Sequence, residues 1–424
     1  MKRWRVYALL LGLSGTAFLI GCKPAAVGVS GMAGLSCANC HSGNPSSPYA
    51  LAFLQNEAAY QQSGHYNGTR ALNPAPANSY YFKGSHALSN SQIGGGICNK
   101  CHTDQGFVTA IASGGNFYAV GAIAVTSALP PGCFTCHNPH VTGNFTPRIV
   151  SPVTLLSGGT YNFGLGNLCA NCHQARATAV LTLVGTPKSG SGPHHGVQSD
   201  FLLGENNWVM PAQSYAGTSP HAMATADSCV SCHKYDPYPR SSTSDLQLGG
   251  HGFYLTGVGG GPLAPPVGGS SAKKDVVALC TSCHTSASTT FEGIHPTVPD
   301  WAGINGGAPA DPLVEIRALR DKLVIYFINT APKPMSKVAT SPWDGSLPVW
   351  PTSAIEWTRD FVAGASVTLS LVQAQSYWNL QLYLEDRSKG IHNPVFAAQI
   401  LYDAIVNLNT NAGAGIVIGA TRPS

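Results

Sequence analysis

Twelve of the thirteen cysteines in this 424-residue chain fall into six copies of one five-residue pattern, Cys-x-x-Cys-His. The copies are Cys37/Cys40/His41, Cys98/Cys101/His102, Cys133/Cys136/His137, Cys169/Cys172/His173, Cys229/Cys232/His233 and Cys280/Cys283/His284. Cys-x-x-Cys alone also suits zinc and thiol redox chemistry. A histidine directly after the second cysteine turns the grouping toward c-type haem attachment. Two thiols then reach the two vinyl groups of one porphyrin, while the next side chain presents an imidazole to the iron. Six copies that leave no motif cysteine over lead us to expect six covalently bound haem c groups, each iron ligated by the histidine of its motif.

The thirteenth cysteine closes an N-terminal signal. Lys2, Arg3 and Arg5 form a positive start, and residues 6–20 form an apolar run. That run is shorter than the roughly 20 residues a membrane-spanning helix needs, so it reads as a signal peptide. Leu19-Ile20-Gly21-Cys22 has the form of a lipobox, with Cys22 as the lipid-modified first residue of the mature chain. Position 23 is Lys rather than Asp, so no inner-membrane retention signal follows. We expect an exported outer-membrane lipoprotein facing the periplasm or the medium, on the side of the membrane where c-type haems are attached.

Charged residues make up 10% of the chain, against about 25% in ordinary soluble proteins, and there are 48 glycines and 30 prolines. Helix and strand periodicity is sparse between Cys37 and His284. We therefore expect a loop-rich region with short helices and a few short strands, folded around stacked haems. Porphyrin surface and thioether bonds there replace apolar side chains and restrain loops that would otherwise remain disordered. The β-leaning runs are 117–129 and 177–184, and 257–271 is a Gly/Ser/Pro loop. The formal charge of +4 includes the three basic residues of the signal. Six haems bring a further twelve propionates, so the mature holoprotein carries about ten negative charges. A nucleic-acid partner, which needs a basic face, is excluded on this ground.

The pattern changes near residue 300, which divides the chain into a signal (1–21), a haem region (22–300) and an α-helical C-terminal region (301–424). Asp311-Pro312 reads as N-cap and first helical residue, with Leu313, Ile316, Leu319, Leu323 and Phe327 at helical spacing. A second helix is expected over about 366–387, stopped near Gly390. A third opens at Asn393-Pro394 and carries Ile400, Leu401, Ile405 and Leu408. His392 lies in the corner between them, where a rigid scaffold would deliver a ligand.

Nine histidines do not follow a Cys-x-x-Cys: His65, His86, His140, His194, His195, His221, His251, His295 and His392. Six irons need up to six distal ligands, and the mature chain offers only Met32, Met210, Met223 and Met335 as soft alternatives. Bis-histidine ligation is therefore favoured. Of the adjacent pair, an extended segment would send His194 and His195 to opposite faces, so that each could serve a different haem.

The order of short motifs resembles a family of exported multihaem cytochromes c from metal-reducing and related anaerobes. The likeness runs from Ser63-Gly64-His65 through Cys133-Phe-Thr-Cys-His-Asn-Pro-His140, Pro193-His194-His195-Gly196, Ser219-Pro-His221 and Gly249-Gly-His251 to Gly390-Ile-His-Asn-Pro394. The last motif and its helices are similar to the C-terminal region of pentahaem nitrite reductases. This resemblance implies distal ligation by His65, His140, His221, His251, His392 and one of His194 and His195, with His194 preferred; His86 and His295 become reserves.

It also implies a fold, a multihaem cytochrome c, and a role, conduction of electrons between redox partners at the cell envelope in extracellular or anaerobic respiration. Partners would be other cytochromes, outer-membrane electron-transfer complexes, or a mineral or soluble acceptor. No catalytic residue is expected. One alternative is a reductase of nitrite, hydroxylamine or a sulfur oxyanion with an open iron, although such nitrite reductases carry a lysine in their catalytic attachment motif and all six motifs here end in His. Another is a subunit of a cytochrome filament.

Overall fold

The computed structural model describes residues 48–68, 71–73, 81–82, 98–113, 117, 120–125, 128–142, 145–148, 151–183, 192–236, 248–255, 276–285, 291, 294–332, 335 and 367–424. The signal, Cys22, the Cys37/Cys40/His41 motif, His86 and the 257–271 loop lie outside these residues.

Up to residue 300 the elements are short. Helices α1 (Pro48–Gln61) and α2 (Gly64–Asn67) precede a two-residue antiparallel pair, β1 (Leu72–Asn73) and β2 (Tyr81–Phe82). Then come α3 (Asn99–His102), α4 (Asp104–Ala112), α5 (Cys133–Cys136) and α6 (Pro139–Thr142). A second pair, β3 (Val153–Thr154) with β4 (Thr160–Tyr161), leads to α7 (Gly166–Ala170), α8 (Ala179–Thr182), α9 (Gln198–Leu203), α10 (Pro220–Met223), α11 (Cys229–His233) and a 3₁₀ turn at Cys280–Ser282.

The two β-leaning runs are corrections to the sequence reading. In 177–184 the chain forms α8, and within 117–129 the described residues form no strand. In 177–184 the carbonyls of Thr178 and Ala179 accept helical N–H groups, and in 117–129 carbonyls are taken by side chains. Asn99 Nδ2 donates to Ile123 O and Lys100 Nζ to Val120 O, which leaves no ladder for a partner strand. The apolar residues Phe117, Ile123, Val125 and Ala128 are still buried, packed with Phe107 and Leu168 against Cys98, Cys101, Cys136 and Cys172. A second small cluster of Val153, Leu155, Tyr161, Leu202 and Leu203 reaches Cys229.

The principal core belongs to the C-terminal helices α12 (Pro312–Asn329), α13 (Leu371–Asp386) and α14 (Pro394–Ala412). Asp311 caps α12 by accepting from Leu313 N at 2.8 Å, with Pro312 at the first helical position. Leu313, Ile316, Leu319, Leu323 and Phe327 are all buried, as their spacing requires. Helix α13 begins later than the sequence pattern suggests. Ser370 and Gln373 form a capping box there, each side chain receiving the other's backbone N–H, and this fixes the start at Leu371. The segment 192–217 is fastened onto this bundle: Trp378 Nε1 donates to Asn206 O at 2.7 Å, Asn379 exchanges two hydrogen bonds with Trp208, and Gln399 accepts from Ala216 N. Gly204 ends α9 at φ 69, where a Cβ would collide with Ala216 O; the turn needs glycine on both counts.

Candidate cofactor sites

Spacing i, i+3, i+4 places three side chains on one face of a helical turn, and the described motifs adopt such turns. The motif histidine donates its backbone N–H to the carbonyl of the first cysteine at 3.1 Å for His102, 2.9 Å for His137, 2.9 Å for His173 and 2.7 Å for His284. In the Cys229 motif the five residues form α11 itself. Two sulfurs and an imidazole therefore share one side of each turn.

Four motif histidines face a histidine from elsewhere in the chain. Ring centroids lie 5.9 Å apart for His173 and His65, 6.2 Å for His137 and His251, 6.1 Å for His284 and His221, and 6.2 Å for His233 and His392. In all four, one member follows a Cys-x-x-Cys and the other does not. His102 adds its charge to the neighbours of His194, whose pKa burial first, then His195, push down to about 3. The pairing ignores sequence order, since His65 meets the fourth motif and His251 the third.

Rings in three of the pairs are oriented by hydrogen bonds at Nδ1, and in the His233–His392 pair both rings are. His221 Nδ1 donates to Ile391 O at 2.6 Å, and His233 Nδ1 to Phe253 O at 2.9 Å. A carbonyl can only accept, so these imidazoles carry their proton on Nδ1 and keep the Nε2 lone pair. His173 Nδ1 lies 2.9 Å from Gln198 Oε1, and His392 Nδ1 lies 2.6 Å from Asp386 Oδ1. Burial pushes His392 toward the neutral form, but the Asp386 carboxylate outweighs it and holds the pKa above the usual histidine value. Burial, then the rings of His173 and His233, bring His65 down to about 4. Gln198 also donates to the carbonyls of Glu385 and Asp386, so the end of α13 positions two of the paired histidines. The loop carrying His251 fits beside the Cys229 motif because Gly249, at φ 62, brings its backbone onto Tyr235 O, where a Cβ would collide.

Neighbouring motifs touch through their thiols. Cys101 and Cys172 hydrogen-bond, as do Cys169 and Cys229. The second bond lowers the pKa of Cys229 and raises that of Cys169. Tyr161 OH lies 3.1 Å from Cys229 Sγ and 2.8 Å from Ser228 Oγ. The charge of Cys280 reaches Cys232. Cys136 likewise acts on Cys169 and Cys172, so the second to sixth motifs lie side by side.

Several nominated residues stand apart from the four pairs. His140 is exposed on α6, its ring 5.9 Å from Phe134. His195 Nδ1 lies 3.2 Å from Glu385 Oε2. The expectation that His194 and His195 point to opposite faces fails: His194 has φ 71, which is not extended backbone, and the two rings lie 4.1 Å apart. The reserve His295 sits 5.2 Å from His284. Sequence reasoning missed Asp386, Gln198 and the Ile391 and Phe253 carbonyls, and only Asp386, one turn and a corner before His392, left any sequence signal. Among the described residues, no group of three or more His, Cys, Asp or Glu side chains converges as a metal site. No described helix is long and apolar enough to cross a membrane.

No family model and no curated protein matches the chain. Among solved structures it is similar to the undecaheme cytochrome from the S-layer of Carboxydothermus ferrireducens, at 14% identity and a TM-score of 0.39. The match covers 89% of this chain and 50% of that one, so the chain spans about half the length of the protein it resembles. A likeness this distant does not bear on function.

Proposed function

We propose that the chain is a hexahaem c-type cytochrome that passes electrons between redox partners at the cell envelope. The observation that carries this reading is the set of four opposed imidazole pairs at 5.9 to 6.2 Å. A metal–nitrogen bond of about 2 Å on each side, plus roughly 1.1 Å from nitrogen to ring centre, puts two trans imidazoles about 6.2 Å apart. Zinc in a structural site needs four protein ligands, whereas a porphyrin iron needs two from the protein, and the protein offers imidazoles in twos.

When bound, haem supplies the ferric/ferrous couple. The rest falls to the chain. Cys98, Cys101, Cys133, Cys136, Cys169, Cys172, Cys229, Cys232, Cys280 and Cys283 tether the groups, joined by Cys37 and Cys40. His65, His251, His221 and His392 are the distal ligands opposite His173, His137, His284 and His233, and His194 serves His102. That leaves His140 for His41. The Nδ1 acceptors fix ring orientation and raise the basicity of the ligands, as outer-shell partners do for metal-bound histidines. Two histidines for each iron would leave no position for substrate, which favours conduction over reduction of nitrite or hydroxylamine. Contact between the thiols of neighbouring motifs supports close spacing of the groups, as electron movement along the chain would need. Attachment at Cys22 would hold it on the outer membrane beside partner cytochromes or an extracellular acceptor.

Low-temperature electron paramagnetic resonance on the oxidised, haem-loaded protein tests the reading. Six low-spin haems, unchanged by nitrite or hydroxylamine, are expected. A high-spin signal that shifts with either would make the chain a reductase.

A further inference from the structure

His284 differs from the other paired motif histidines in facing two imidazoles. The His221 ring stands 6.1 Å away and the His295 ring 5.2 Å away. The two approach on separate segments. His221 lies on α10, and its Nδ1 is fixed on the Ile391 carbonyl. His295 precedes the Val298–Ala310 bridge, whose two hydrogen bonds of 2.8 and 3.0 Å anchor that segment to the start of α12. The Nδ1 of His295 is buried and has no hydrogen-bond partner. The Nδ1 of His137, a ring already opposed to His251, is in the same state, so His295 shares the surroundings of a histidine assigned to iron.

Resting on the haem reading above, we propose that His295 is a second distal ligand for the haem of the Cys280/Cys283/His284 motif, and takes the iron when His221 leaves it. In the exchange an iron–nitrogen bond to His221 breaks and one to His295 forms. Both donors are neutral imidazole nitrogens, so no electron or proton moves. His221 depends on the α13–α14 corner through Ile391, whereas His295 depends on α12. Movement of either support leaves the other ligand in place, and the iron stays six-coordinate and closed to small molecules. Among the described residues the other three pairs show no such reserve: no second histidine ring accompanies His137 or His233, and His173 meets His65 alone.

The test counts high-spin haems in the oxidised holoprotein by electron paramagnetic resonance, after a pyridine haemochrome assay fixes the haem number. Fewer than six haems in the unsubstituted protein would defeat the haem reading itself, apart from this proposal. His221→Gln keeps a donor for Ile391 O, and all six haems are expected to stay low-spin. The double variant His221→Gln/His295→Ala is expected to show one high-spin haem per molecule, returned to low spin by added imidazole if the site is folded. The control His392→Gln is expected to show one high-spin haem at once. A high-spin haem in His221→Gln alone, or in His295→Ala alone, would overturn the proposal, as would a double variant that stays wholly low-spin.

Discussion

The motif region and the C-terminal bundle solve the same folding problem with different materials. Helices α12, α13 and α14 bury Leu319, Leu323, Leu380, Ile400 and Ile405 completely, and their caps come from their own side chains. Upstream, apart from α1 and α4, the described elements run to six residues or fewer, the strands come in twos, and the apolar clusters are small and end on cysteines. One part carries its core in its sequence. The other uses short turns and loops to bring cysteines and histidines together, with small apolar clusters around them. Its loop carbonyls are satisfied by side chains such as Asn99 and Lys100 instead of by long helices on an apolar core.

The largest expected effect comes from withholding haem. Expressed in a host without haem attachment, the chain should lose amide protection across 98–236 while α12, α13 and α14 retain theirs by hydrogen exchange. Equal protection in both regions of the apoprotein would erase the contrast. Next, Leu380→Ala or Ile405→Ala in the bundle should cost about 2 to 5 kcal/mol, read as a lower thermal midpoint. The exposed Val141→Ala, on the motif side, should stay within about 0.5 kcal/mol.

A pH effect sits at the seam between the two regions. Asp200 on α9 is fully buried and accepts from Ala175 N at 2.8 Å, and burial pushes its pKa up to about 6. The folded state therefore holds this proton more tightly than the unfolded chain. Stability should be highest below about pH 4 as far as this group is concerned, and fall by up to about 3 kcal/mol as pH rises through 6. Asp200→Asn should flatten that slope in a thermal-midpoint series. A change in overall stability of about 1 to 3 kcal/mol is expected for Asp386→Asn, which weakens the link between bundle and motif region. Its sharper signature is electrochemical: a less basic His392 favours ferrous iron, so one of six potentials should rise while the others hold.

Much of this organisation is visible in the amino-acid order. Asp311-Pro312 and Asn393-Pro394 mark helix starts because capping is local, and the five apolar positions of α12 point inward because their period is helical. Cys-x-x-Cys-His turns are legible for the same reason. Pairing is not, because the contact between His65 and His173, or between His137 and His251, is set by how loops cross in space. The runs 117–129 and 177–184 misled because β propensity is realised only where a partner strand exists: in the first, Asn99 and Lys100 claim carbonyls, and the second closes on itself as a helical turn. The stop of the 194–195 segment in left-handed backbone at His194 left no trace in composition.

The contact between His233 and His392 has a bearing on how the chain is made. Its two halves leave the ribosome 159 residues apart, and the later half arrives with the penultimate turn before the last long helix. A product clipped anywhere in between would keep His233 without the ring opposed to it. The fifth motif thus gains its facing imidazole only once the C-terminal bundle has been made.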